Sequence, residues 1–439
     1  MNREQSLVKL RRLSADQRLV EARNLCLDLT RTYPKDIEIW KARLDLHYCL
    51  GEFDSLGTCV QAIMRWLHTQ SPNPLIIDTY LNLGNMCLVA CYINDAINIY
   101  SRLIAVVPNE PRAHTCLGVC LLLVGDFKRG WSEYEWRLKI TQMKGWGQYQ
   151  SHRPIWKGEP LHGKTILVIS EQGIGDTIHF IRYAGYLKAL GGKVILACNP
   201  KLHNFLANCL PSNSVNQFVN YGDIVPHYDV EVPLMSLPGI FRTSINTIPG
   251  DTPYLAVPQG TSKDVVEKIT QHKNMLCVGI TWRGGREDEH GRLRTIALEQ
   301  LNDVLNIEGV KFFSLPRFPG DLDVTSAHHE TLVDLESYLD LEGLTDTAAA
   351  IQELDLIISV DTTVVHLAGA LGRPVWTLLP FSPDWRWMLN REDSPWYPTM
   401  RLFRQPTPGD WASVITRVKA ELTALVHESN RDRYIPAKM

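Results

Sequence analysis

The sequence predicts an α-helical repeat region followed by two doubly wound α/β domains. Three observations carry that expectation. Helical segments with a 34-residue internal register fill the N-terminal third. A β-rich run, a glycine-containing loop and an amphipathic helix begin at residue 164. A second series of short β-rich runs, separated by helical or loop segments, starts near residue 275. The expected boundaries are 1–145 for the helical region, 146–270 for the first α/β domain and 271–439 for the second.

In the helical region, "DTYLNLGNMCLVACYINDAINIYSRLIAVVPNEP" places Leu83, Gly84, Ala96, Tyr100 and Pro108 where a tetratricopeptide repeat wants its small, aromatic and terminating residues. Leu83-Gly84 recurs 34 residues on as Leu117-Gly118, and Tyr100 as Tyr134. Ala22 stands twelve before Pro34 just as Ala96 stands twelve before Pro108, so about three repeats precede the α/β region. Each hairpin of such an array covers its neighbour's apolar face and leaves a concave surface that commonly takes peptide or protein. The stretch "MKGWGQYQSHRPIWKGEPLHGK" breaks the pattern and reads as a linker or docking segment.

The class of pattern then changes. "KTILVIS", "EQGIGD", "TIHFIRYAGYLKALGG" and "KVILACN" make a strand, loop, helix and strand of a parallel sheet. "MLCVGITW", "VKFFSLP", "LDLIISVD" and "PVWTLLP" repeat the plan, with the two domains meeting around residues 250 to 275.

Composition narrows the function. The 439 residues are 45% hydrophobic, enough for several cores. A formal charge of -3, from 45 basic and 48 acidic residues, gives no electrostatic case for a nucleic-acid or polybasic membrane partner, so any anionic ligand is held locally. "MNREQSLVKLRRLSADQ" lacks an apolar core of signal-peptide length, and "CLGVCLLLVG" is far short of the ~20 residues of a membrane helix; a soluble cytoplasmic protein is expected. The ten cysteines include no C-x-x-C pair. Cys87 with Cys91, and Cys116 with Cys120, are spaced to share helix faces, which suits reduced core thiols better than zinc ligation.

In open parallel sheets, ligands sit beyond the carboxyl ends of the strands, and three loops fall there. In "EQGIGDTIH", Gly173 and Gly175 permit close backbone approach, and Asp176 stands at a helix start, as a ligand-facing carboxylate or as a cap. The full G-x-G-x-x-G is lacking, so no dinucleotide site is expected. In "TWRGGREDEHGRLRTIAL", Arg283, Arg286, Arg292 and Arg294 offer guanidinium forks for diphosphate oxygens, while Glu287, Asp288 and Glu289 leave a salt-bridged, solvated loop as the alternative. In "SVDTTVVHLAGALGRPVWTLL", Asp361, Thr362 and Thr363 bracket a helix N-terminus suited to phosphate, and His366 lies in the first turn, as a ligand-facing group or a core histidine. There is no P-loop, G-x-S-x-G or H-E-x-x-H. Asp321 and Asp323 form a D-x-D, a pattern that holds a cation in metal-dependent glycosyltransferases, but within a Pro/Gly loop; no metal or cofactor is expected.

"GDFKRGWSEYEWRL", "EQGIGDTIHFIRY", "WRGG" followed by "RLRTIAL", "ISVDTTVVHLAGALGRPVW" and "LLPFSPDWRWMLNREDSPWYPTMRLFRQ" together give the chain, from about residue 75 onward, a family likeness. It resembles bacterial proteins that join tetratricopeptide repeats to a heptosyltransferase-like domain of glycosyltransferase family nine, with the two-domain GT-B fold. That resemblance implies an inverting hexosyl or heptosyl transfer from a nucleotide diphosphate sugar. The family's G-D-x-x-H segment falls on Gly175, Asp176 and His179, with Asp176 as the implied base. Its D-T-x-x-x-H segment falls on Asp361, Thr362 and His366, which then hold the donor diphosphate; Thr363 stands where the family usually has Gly. A basic residue of the preceding loop, Arg286 or Arg294, would assist the leaving group. The repeats point to a protein acceptor, such as flagellin or another surface protein. A lipopolysaccharide or glycan intermediate is the alternative acceptor, and a nonenzymatic scaffold the alternative class.

Overall fold

In this computed structural model, the structure describes residues 2–52, 55–140, 153–212, 214–258, 260–284, 289–315, 331–335, 338–339 and 343–434. The first part is a run of antiparallel helices: α1 (Arg3–Ala15), α2 (Leu19–Thr32), α3 (Ile37–Cys49), α4 (Leu56–Leu67), α5 (Pro74–Val89), α6 (Ile93–Val106), α7 (Pro111–Leu123) and α8 (Phe127–Tyr134). Local chemistry starts several of them. Pro74 and Pro111 occupy first-turn positions that need no N–H donor, the Asn73 side chain accepts from Ile76 N, and Asp126 accepts from Arg129 N.

The repeated glycine has a steric reason. A Cβ on Gly84 would lie 2.5 Å from the Tyr100 ring, and one on Gly118 would lie 2.5 Å from the backbone N of Tyr134. The glycine of α5 or α7 therefore lets the next helix approach, and the 34-residue spacing is the spacing of that contact. None of the ten cysteines is in a disulfide; Cys87 and Cys120 are buried, Cys91 and Cys116 half-buried, and Cys49 is exposed. Burial pushes the Cys87 thiol up to about 12, which makes it an inert core group.

The first sheet holds β1 (Thr165–Ile169), β2 (Lys193–Cys198), β3 (Gln217–Asn220) and β4 (Val230–Pro233) in the order β3-β2-β1-β4, all parallel. Around it lie α9 (Ile174–Phe180), α10 (Ala184–Ala189), α11 (Pro200–Cys209) and α12 (Leu237–Ile240). The single amphipathic helix expected after β1 is broken by a 3-10 turn, Ile181–Tyr183, between α9 and α10. The expected linker lies outside the described residues up to 152; beyond that it packs, with Ile155 bridging to Glu231 and Trp156 buried.

After α13 (Lys263–Thr270), the second sheet holds β5 (Leu276–Thr281), β6 (Val310–Ser314), β7 (Leu332–Asp334), β8 (Leu356–Val360), β9 (Val375–Leu379) and β10 (Met400–Arg404) in the order β10-β9-β8-β5-β6-β7, again parallel. Its helices are α14 (Glu289–Leu293), α15 (Asn302–Leu305), α16 (Thr345–Glu353), α17 (Thr363–Ala370) and the long α18 (Trp411–Tyr434). The four strands read from sequence are present. β7 and β10 are additions, too short or too polar to announce themselves as strands.

One apolar core runs from the helical region through the first sheet to the inner face of the second. Specific bonds tie the parts together. Trp131 Nε1 of α8 donates to Thr243 O at 2.9 Å, and Ser382 Oγ, after β9, donates to Leu88 O of α5 at 3.1 Å. Arg137 is fully buried and forms a fork on Glu171 at 3.1 and 2.7 Å, clamping the end of the helical run to the loop after β1. Among the described residues, no helix is long and apolar enough to cross a membrane.

Candidate active site

A cavity of about 550 Å³ lies where all three parts meet. Gln172, Gly173, Gly175 and Asp176 line it from the loop after β1 and the start of α9. Arg294, Asp361, Thr362, Thr363 and His366 line it from the second sheet's strand ends, as do Asp384, Trp385 and Arg386. Leu88, Val89, Val119 and Tyr134 supply a wall from the helices. The carboxyl ends of β1, β5, β8 and β9 feed these loops, as expected for parallel sheets.

Thr362 is the N-cap of α17, with Oγ1 accepting from Val364 N at 3.3 Å. Capping and ligand binding are compatible, because one side-chain cap bond does not satisfy every N–H of a helix's first turn. Asp361 is buried at the strand end, where Arg294 Nη1 donates to its carbonyl at 2.8 Å and lies 3.8 Å from its carboxylate. Burial pushes the Asp361 carboxyl up to about 6, with Arg294 opposing and Asp384 reinforcing the shift.

Asp176 is the third residue of α9 rather than its cap. Its Oδ2 accepts from Gly173 N at 2.7 Å, and its Oδ1 pairs with Arg386 Nη2. Arg386 is buried, with Nη1 on Asp384 Oδ1 at 2.9 Å and its guanidinium 4.4 Å from the Trp385 ring. Burial works against its charge, but Asp384 and Asp176 more than offset that and hold its pKa above the ordinary arginine value. The site therefore keeps a fixed cation between two carboxylates of different domains. Gln172 adopts a left-handed backbone (φ 64°) and donates to Tyr134 Oη at 2.8 Å, joining the loop to α8.

Two expected residues stand elsewhere. His179 is fully buried behind the cavity, with Nδ1 2.9 Å from Tyr397 Oη, and is not among the residues that line it. Arg283 is half-buried and is not part of the cavity wall, so of the described arginines in that loop Arg294 alone reaches it. Arg286, Asp321 and Asp323 lie outside the described residues. Gly175 approaches α17 closely, since a Cβ there would lie 3.0 Å from His366 Cδ2.

Sequence reasoning missed Tyr134, Gln172, Asp384, Arg386 and Tyr397. The signal for Asp384 and Arg386 was present, because "PFSPDWRWM" directly follows the strand "PVWTLLP" and strand ends hold the sites of parallel sheets.

Residues 325–401 match the family described as Glycosyltransferase family 9 (heptosyltransferase). Over 320 residues the chain is 25% identical to Protein FlbA of Caulobacter vibrioides, covering 69% of this chain and 53% of that one, so it spans about half the length of that relative. Among solved structures it is similar to a family 9 glycosyl transferase of Veillonella parvula, at TM-score 0.46 and 12% identity over 62% of this chain and 100% of that one. It is also similar to the E. coli ADP-heptose lps heptosyltransferase II, at TM-score 0.44 and 14% identity over 61% and 99%. An O-GlcNAc transferase of Thermobaculum terrenum aligns over 99% of this chain and 95% of its own, at TM-score 0.29 and 12% identity. The family match takes in β8, the α17 N-terminus and the Arg386 loop, so this segment of the chain is similar to the heptosyltransferase-like domain of glycosyltransferase family 9.

Proposed function

We propose that the chain is an inverting glycosyltransferase with the GT-B fold, preceded by tetratricopeptide repeats, that moves a sugar from a nucleotide diphosphate donor to an acceptor in the cytoplasm. The observation that carries the reading is the division of the cavity. The Asp176 carboxylate stands on one domain, while Arg294, Arg386, the α17 N-terminus and His366 stand on the other. That polarity suits a displacement in which the acceptor hydroxyl attacks the anomeric carbon, its proton passes to Asp176, and the bond to the diphosphate breaks. Arg294, Arg386 and the N–H groups at Thr362 and Thr363 meet the departing negative charge, the role of preorganised donors. Arg386 neutralises Asp176 until the donor's phosphates compete for its guanidinium, so donor binding readies the base.

The acceptor in this reading is a protein. Leu88, Val89, Val119 and Tyr134 of the helices form one cavity wall, so a segment lying along the repeats passes the reacting centre. The heptosyltransferase family match favours a second acceptor, a lipopolysaccharide or other glycan intermediate.

Incubation with a panel of nucleotide sugars, with and without cell lysate, followed by intact-mass analysis tests the proposal. A sugar-sized shift on a lysate protein is expected. Transfer confined to glycan fractions supports the second acceptor. No transfer and no donor hydrolysis across the panel would leave a nonenzymatic scaffold.

A further inference from the structure

Three rings meet on one hydroxyl behind the cavity. Tyr397 Oη lies 2.9 Å from His179 Nδ1 and 3.0 Å from His366 Nδ1, and all three side chains are buried. A phenol carries one proton, so both imidazoles cannot accept from it. One accepts, and the other donates its own Nδ1–H.

The far nitrogens decide which. His179 Nε2 is buried and has no hydrogen-bond partner among the described residues. A proton there would orphan an N–H donor in the core; a proton on Nδ1 instead reaches Tyr397 Oη and leaves only a bare lone pair behind. His366 differs, because it lines the cavity. With Nδ1 turned to Tyr397, the ring directs Nε2 away from it, toward the side where Cδ2 faces Gly175. A proton on His366 Nε2 therefore meets the cavity contents.

Tyr254 does not upset this count. Its proton goes to Ile178 O at 3.0 Å, its oxygen accepts from Arg182 Nη2 at 3.0 Å, and at 3.5 Å it is a poor rival acceptor for the Tyr397 proton. Both imidazoles also stay neutral at neutral pH. Burial holds each well below its ordinary value, and Arg182 beside His179 and Arg386 beside His366 reinforce it. The open variable is then the tautomer.

We propose that Tyr397 is a positioning residue that fixes His366 as the Nε2–H tautomer, through His179 Nδ1–H to Tyr397 Oη and Tyr397 Oη–H to His366 Nδ1, so that His366 presents a neutral N–H donor to an oxygen of the leaving diphosphate. The identity of that oxygen rests on the glycosyltransferase reading; the relay does not.

The test is imidazole ¹⁵N NMR of the full chain labelled at histidine, with His366 and His179 assigned from their losses in His366→Gln and His179→Gln. The expected wild-type pattern is a protonated Nε2 and a bare Nδ1 for His366, and the reverse for His179. Tyr397→Phe keeps the ring that packs on Gly369 and removes only the hydroxyl; His366 is expected to become a mixture of tautomers there. A wild-type His366 protonated at Nδ1, or an unaltered Nε2–H pattern in Tyr397→Phe, overturns the relay. Should that variant fail to fold, the paired wild-type patterns decide alone. Addition of nucleoside diphosphates then separates the two readings: a shifted His366 Nε2 signal supports the diphosphate contact, whereas intact tautomers with no response to any of them sink the ligand assignment and leave the relay standing.

Discussion

Asp176 of the first α/β domain and Arg386 of the second form an ion pair across the cavity, 210 residues apart in sequence. Asp384 holds the other side of the same guanidinium at 2.9 Å, so removing either partner has a different consequence. Asp176→Asn keeps an oxygen for Gly173 N and leaves Arg386 neutralised by Asp384. Turnover is expected to fall by about 10²–10⁴ while nucleotide diphosphate binding persists. Initial rates together with calorimetric titration check this; a fully active Asp176→Asn would remove it as the base.

Arg386→Met leaves the half-buried Asp176 and Asp384 carboxylates without the cation that stood between them. Solvent in the cavity screens both carboxylates, so the loss stays below the about 3–5 kcal/mol of a fully buried pair. A markedly lower thermal midpoint is expected, together with weakened diphosphate binding. An unchanged midpoint would mean that the cluster contributes nothing to the docking of the two domains.

Gly175→Ala places a methyl 3.0 Å from His366 Cδ2, with the Thr363 Cα at 3.5 Å behind it. His366 must shift by a few tenths of an ångström, and its donor moves with it. The expected result is weaker nucleotide diphosphate binding with a nearly wild-type melt, read by titration and thermal denaturation of the same preparation. Unaltered affinity would show that the α9–α17 contact does not govern the ligand.

Gly118→Ala tests the repeat geometry. The new Cβ would meet the Tyr134 backbone at 2.5 and 2.7 Å, and backbone cannot swing aside as a long side chain can. Overpacking of this kind costs about 1–3 kcal/mol, and here it also displaces the Tyr134 hydroxyl from Gln172. Both the melting temperature and donor binding should drop.

Acidification should weaken the domain contact at His179 and His366. In the unfolded chain these imidazoles take protons near pH 6.5, whereas burial keeps them neutral well below that in the fold. The unfolded state then binds more protons, so stability falls as pH drops below 6.5, by about 1.4 kcal/mol per pH unit for each group. Asp361 acts oppositely: its carboxyl is raised from 3.8 to about 6, so the folded state holds the extra proton between those values and stability gains as pH falls. The loss thus begins near pH 6.5, and Asp361 offsets about half of the two histidines' contribution as it takes its proton. The melting advantage of wild type over His179→Gln should shrink between pH 7 and 5; a constant gap would mean that His179 is free to charge in the fold.

The sequence by itself determined the class of each part, helical and then parallel α/β, and the strand-end loops that line the cavity. Gly84 and Gly118 with their tyrosine partners are a local steric requirement repeated at a fixed spacing, so a single chain displays it. Strand-end loops are likewise readable, because parallel sheets open their sites in one place, and Asp176, Thr362 and Asp361 stood there. Tertiary structure alone decided which neighbours those residues have. The Asp176–Arg386 pair and the Tyr397 bridge between two histidines join groups whose separation along the chain carries no periodic signal. His179 shows the limit most clearly. The resemblance to the family's G-D-x-x-H segment implied a ligand role, but the side chain lies buried against Tyr397 behind the cavity lining, where burial sets its chemistry.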